Sequence, residues 1–176
     1  LAGPGLLAHV LVAKYADHLP LYRQSEIYAR EGVDLDRSTL AGWAGQAAHL
    51  LDPIVSRIRE EGFKAAKIHT DDTPVPMLVP GKGKTAQARL WTYVVDDRAS
   101  GATVPALVWY RFTPDRGGIH PQTELKHFTG LLQADDGRVG QALQAGVAGR
   151  DRAVSVGHAD HRLAEIVALV AHGVVH

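Results

Sequence analysis

KIHTDDTPVPM, residues 67–77, decides how the middle of the chain is read. Asp71 and Asp72 close a short run, KAAKIHTD, that reads as a strand. Thr73, Pro74 and Pro76 then predict its end, because proline offers no ladder donor and restricts the residue before it. Adjacent carboxylates at a strand end have two explanations. Aspartate is an ordinary turn residue, and it is also a hard oxygen ligand for a divalent cation. The second needs partners elsewhere in the chain.

Outward from this stretch the period is that of strands. RLWTYVVDD and PALVWYRF are rich in β-branched and aromatic residues, as strands are. Between the first two strands, TPVPMLVPGKGKTAQAR predicts a Pro/Gly loop bearing Lys82, Lys84 and Arg89. HPQTELKHFTG predicts a short helix with Pro121 in its first turn and Gly130 past its end, and LLQAD predicts a fourth strand. The order is strand, strand, strand, helix, strand. If the helix is a crossover, the fourth strand lies parallel beside the first. Asp71 and Asp135, 64 residues apart, would then end neighbouring strands. Strands pair about 4.8 Å apart, so two such carboxylates can share a cation or a pair of cations. All-oxygen ligation suits Mg²⁺ or Mn²⁺, but spacing alone favours the turn reading.

Residues 1–60 read as helical. GLLAHVLVAKYADHL gathers apolar residues on one face and is closed by Pro20. A helix over Leu21–Arg30 ends at Gly32, and Asp36 is placed to cap another that runs through Leu51. Two helices joined by a short Gly-containing turn have the helix-turn-helix outline, which ordinary helical packing shares. Residues 61–135 hold the strands. Residues 136–176 differ from both, with more than half Ala, Gly or Val, no aromatic residue and no lysine. Only HRLAEIVALVAH shows helical periodicity there, and this tail is expected to be poorly ordered.

The 176 residues are 45% hydrophobic and 22% charged with a formal net charge of zero, so any basic surface must be local. Absence of cysteine excludes disulfides and thiolate zinc sites. No apolar run reaches the roughly 18–20 residues that span a bilayer, and the first apolar stretch lacks the charged start of a signal peptide. A cytoplasmic protein is expected. The chain opens on Leu1 and its sole methionine is Met77, which suggests a piece of a longer protein.

Three blocks carry a resemblance: HLPLYRQSEIYAREGVDLDRSTLAGW, HTDDTPVPMLVPGKGKTAQARLWTYVVDD and WYRFTPDRGGIHPQTELKHFTGLLQAD. Together, over about Gly5–Asp135, they resemble the transposases of the insertion sequence 66 family. The resemblance implies an α/β fold with a partial ribonuclease H-like mixed sheet preceded by a helical region. It also implies an Asp-Asp-Glu site for metal-dependent DNA strand cleavage and transfer in bacteria, with transposon ends and target DNA as partners and a homo-oligomer allowed. The family's first acidic residue falls in its HxDD/ET block, on Asp71, and its second in the LQAD block, on Asp135. Asp72 matches a more variable acidic position and is expected to face outward. Lys82, Lys84 and Arg89 are candidates to contact DNA phosphates, and a plain solvated hairpin loop accounts for them equally well.

The family's third acidic residue belongs to a DNNxxE block, which does not occur in these 176 residues. Nor does the CWAHxRRKF block that usually follows LQAD. The chain therefore reads as an internal piece with a divergent or frame-shifted tail, inactive alone. The alternative is a non-catalytic DNA-binding or interaction remnant. Within the tail, Glu165 reads as a solvated helix residue rather than a substitute ligand. His158, Asp160 and His161 of GHADHR lack the upstream histidine of a metallo-hydrolase signature. GKGKT likewise lacks the glycine spacing and following helix of a phosphate-binding loop.

Overall fold

The computed structural model describes residues 2–79, 81, 83–98, 101, 105–134 and 154–156. Glu165, His158, Asp160 and His161 lie outside them. The chain divides into two compact units, one running through Ile54 and the other starting at Val55.

The first unit is built from α1 (Pro4–Tyr15), α2 (Leu21–Arg30) and most of α3 (Arg37–Gly62). Pro4 opens α1, where its missing N–H is no loss. Gly32 closes α2 at φ +80°, and the N–H groups of Gly32 and Val33 return to the carbonyls of Ala29 and Tyr28. The Asp36 carbonyl accepts the Leu40 N–H, as the carbonyl before a first helical turn does. Val10, Ala13, Leu40 and Ala47 are buried, and so is Gln24. The Gln24 amide donates to the carbonyls of Val10 (3.3 Å) and Leu19 (3.0 Å), tying α2 to α1 and to the turn between them. The helix expected to stop at Leu51 instead passes through Pro53 to Gly62. Proline removes one donor there, and Arg57 pairs with Glu60 and Glu61 at helical spacing in the turns that follow.

The second unit is a five-stranded mixed sheet of order β3-β2-β1-β4-β5. Its strands are β1 (Lys67–Val79), β2 (Lys84–Val95), β3 (Leu107–Thr113), β4 (Leu131–Ala134) and β5 (Val154–Val156). A short helix, α4 (Ile119–Glu124), leads from β3 to β4. The first three strands are antiparallel neighbours, and β4 lies parallel beside β1, as the crossover reading requires. Within the compositionally distinct tail, β5 adds a further parallel strand.

The expected loop over residues 73–89 is largely strand: β1 and β2 form one hairpin paired from His69↔Val94 to Val79↔Lys84. Pro74 and Pro76 lie beyond Lys67–Thr70, the part of β1 that β4 pairs with among the described residues. Strand alternation turns the nitrogens of both prolines away from β2, so the hairpin loses no donor.

One face of this sheet carries the core: Ile68 from β1, Trp91, Tyr93 and Val95 from β2, Trp109 from β3, and Leu132 and Ala134 from β4. Leu125 and Phe128 close over it, with Ile58 and Phe63 packed against them. Tyr93 stacks on Trp109 at 5.1 Å between ring centroids, and Phe63 meets Trp109 edge-on. Gly130 admits the close approach at the start of β4. The Leu131 N–H bonds to the Ala66 carbonyl, and a Cβ on Gly130 would collide with that oxygen and the Phe128 ring. Gly130→Ala is expected to cost about 1–3 kcal/mol in urea unfolding through overpacking. Gly45→Ala, at an open helical position, should instead raise stability by about 0.5–1 kcal/mol. Equal effects would contradict this packing.

Candidate functional site

Alternation along β1 separates the two aspartates. Ile68, Thr70 and Asp72 are buried on the core face, whereas Lys67, His69, Asp71 and Thr73 lie half-buried on the other. The expectation that Asp72 faces outward is therefore corrected: its side chain is 0% exposed. A carboxylate can stay charged there only with charged partners. Arg116 donates to Oδ1 from Nη2 (2.7 Å) and Nε (3.1 Å), and Arg89 Nη1 lies 3.1 Å from Oδ2.

This also corrects the placement of Arg89. It lies within β2 rather than in a loop, with its guanidinium turned to Asp72. Lys84 is exposed at the start of β2, beside a tip in which Gly81 and Gly83 take φ +77° and +57°. Lys82 lies outside the described residues.

Asp71 sits opposite Thr92 on β2, which is in turn opposite Tyr110 on β3. Asp71 Oδ1 accepts the backbone N–H of Asp72 at 2.7 Å. Along the β1–β4 seam the last described pair is Thr70↔Ala134. Asp71 follows Thr70 and Asp135 follows Ala134 in sequence, and Asp135 lies outside the described residues. Among the described residues no three His, Cys, Asp or Glu side chains gather as a metal group. No helix among them is long and apolar enough to cross a membrane.

Two polar clusters on the core side escaped sequence reasoning. In one, Trp91 Nε1–H donates to Thr113 Oγ1 (2.9 Å), whose hydroxyl donates to the Asp115 carbonyl (2.7 Å). The Asp115 carboxylate accepts the Gly117 N–H (2.7 Å) and contacts His120 Nε2 (2.8 Å), which shapes the turn that presents Arg116. In the other, buried Glu124 accepts Trp109 Nε1–H (3.2 Å) and pairs with Arg59 and Arg111. Burial, and then the Glu124 charge, push the Tyr93 phenol far above its ordinary range. The available signal was the parity of position 72: a charge that continues the alternation of Ile68 and Thr70 on a buried face demands a distant cation.

Asp72→Ala should destabilise by about 3 kcal/mol, the lower end for a broken buried pair, since it leaves largely buried Arg89 and half-buried Arg116 without their carboxylate. Asp71→Ala should cost clearly less; equal losses in urea unfolding would contradict the facing described. The Gly117 N–H, then His120, hold the Asp115 carboxyl below its ordinary value. Its folded value is depressed, so its contribution is present above the unfolded value of about 3.9 and disappears as pH falls through the folded value. A carboxyl NMR titration should place the Asp115 midpoint below about 3.9; a midpoint at or above it contradicts the turn geometry.

The model of the IS66 family of transposases matches residues 1–162. The uncharacterized protein y4qI of Sinorhizobium fredii (strain NBRC 101917 / NGR234) is 45% identical over 130 residues, which is 74% of this chain and 24% of that protein. The uncharacterized protein y4hP of the same strain is 43% identical over 133 residues, covering 76% of this chain and 24% of its own length. The chain thus spans about a quarter of the length of these curated relatives. A family match over most of the chain, in the same blocks that build the β1–β4 seam, makes this chain a member of the IS66 family of transposases.

Proposed function

We propose that the chain is part of the catalytic core of a metal-dependent DNA transposase of the DDE type, with Asp71 and Asp135 as two of its three acidic metal ligands. The observation that carries this is the β1–β4 seam. Two parallel strands, joined through a crossover helix, are in register up to Thr70↔Ala134, one residue before each aspartate. The sheet order, with three antiparallel strands followed by parallel β4 and β5, supports a ribonuclease H-like reading of the core.

The donor chemistry fits a hard divalent cation. Asp71 is a half-buried carboxylate on the face away from the core, and its Oδ1 accepts a backbone N–H. Asp71 and Asp135 would hold Mg²⁺ or Mn²⁺ through oxygen. The chemistry such ions supply when bound is activation of a hydroxyl and stabilisation of the leaving oxygen in phosphodiester cleavage or strand transfer. Lys84, exposed at the start of β2, would contact phosphates of the transposon end or target DNA, and Lys82 is assigned the same task, positioning the strand without reading its sequence. Arg89 serves the fold through Asp72 instead. A bacterial cytoplasmic setting and a homo-oligomer belong to the same reading.

Calorimetric titration with MnCl₂ tests it. The wild-type chain should bind Mn²⁺, and Asp71→Asn and Asp135→Asn should each lose that binding while keeping the wild-type circular dichroism. Identical Mn²⁺ binding by wild type and Asp71→Asn would sink the assignment. Lys84→Ala should weaken DNA binding uniformly across sequences and lower the salt slope by about 1. Without a DNNxxE glutamate within the 176 residues, the isolated chain should not complete strand transfer. Metal-dependent transfer abolished by Asp71→Ala would contradict that.

A further inference from the structure

We propose that Asp72 and Arg116 are positioning residues: their buried ion pair aims a backbone N–H that holds the Asp71 carboxylate over the β1–β4 edge. The inference rests on the reading of Asp71 as a metal ligand and deepens it.

Backbone direction comes first. The Leu131 N–H bonds to the Ala66 carbonyl, so the backbone groups of Ala66 point to the β4 edge of β1. Amide groups alternate between edges along a strand, and Ile68, Thr70 and Asp72 share that parity. The Asp72 N–H therefore points to the β4 side, one step beyond the last described pair, Thr70↔Ala134. It donates to Asp71 Oδ1 at 2.7 Å. Pro74, next on the same edge, has no N–H to compete.

The Asp72 side chain keeps that donor in place. Its oxygens are locked on the opposite face by two arginines from different elements, Arg89 of β2 and Arg116 of the β3–α4 connection. Arg116 makes two contacts to Oδ1, a fork that sets the orientation of the carboxylate as well as its charge. Its own turn is fixed by the Asp115 contacts to Gly117 and His120. Rotation of the residue-72 backbone, which would swing the N–H off Asp71, must break this lock. Groups that orient a metal ligand in this way typically change metal affinity by about 10–100-fold when removed.

Arg116 is the residue to vary, because its side chain is 36% exposed and its loss leaves Asp72 paired with Arg89. Three measurements on the full 176-residue chain are read together: MnCl₂ calorimetry, amide hydrogen exchange at Asp72 and Leu131, and urea unfolding. Arg116→Ala is expected to weaken Mn²⁺ binding by about tenfold and to speed exchange of the Asp72 amide, with Leu131 still protected. Arg116→Lys should restore the charge and part of the affinity but not the fork. Unchanged Mn²⁺ affinity and Asp72 exchange in Arg116→Ala, alongside loss of Mn²⁺ in Asp71→Asn, would overturn the positioning role and leave the ligand assignment standing. Mn²⁺ binding that Asp71→Asn does not weaken would overturn both. A uniform rise in exchange at Asp72 and Leu131 would reduce Arg116 to a purely structural part.

Discussion

The buried carboxylate of Asp72 is the constraint on which the second unit depends. A charged oxygen pair with no exposed surface must be met by cations, and the two that meet it arrive from β2 and from the β3–α4 connection. That requirement pins three pieces of chain to one point of β1. It also selects the strand's facing: a slip of one residue would bring Asp71 and His69 into the core and expel Ile68 and Thr70. Neighbouring aspartates thereby acquire different tasks, one in holding the sheet and one on the face where a site can form.

The uneven pairing of β1 gives that site its location. β2 accompanies β1 along the hairpin, whereas among the described residues β4 accompanies Lys67–Thr70. The described seam therefore reaches to one residue before the aspartates, and beyond it Pro74 and Pro76 turn their nitrogens to the same side of β1. Prolines blunt a strand against further pairing, and on that side they take no donor from the hairpin with β2. Close approach at Gly130 and the packing of Phe128 and Leu125 set where β4 begins, and hence how far it runs beside β1.

Elements with strong local signals were legible in the sequence. Apolar, β-branched runs marked β2 and β3, Gly32 marked the end of α2, and the helix before LLQAD implied the parallel seam that β1 and β4 form. What stayed illegible depended on distant partners. Pro74 and Pro76 read as strand breakers because nothing local says that their nitrogens face away from β2. Asp72 read as outward because aspartate is seldom buried, and its partners Arg89 and Arg116 lie 17 and 44 positions away. Arg89 read as a loop cation for the same reason. The helix expected to run through Leu51 is carried past Pro53 by the turns up to Gly62. Of the site itself, the parity of Asp71 and Asp72 was legible, and the arginine lock behind it was not.

A crystal structure of the chain soaked in Mn²⁺, read by its anomalous signal, tests the division of labour along β1 most directly. A manganese peak within about 2.2 Å of an Asp71 carboxylate oxygen and of Asp135, with Asp72 still between Arg89 and Arg116, is the predicted result. A peak on Asp72, or bound manganese that touches neither Asp71 nor Asp135, would contradict it.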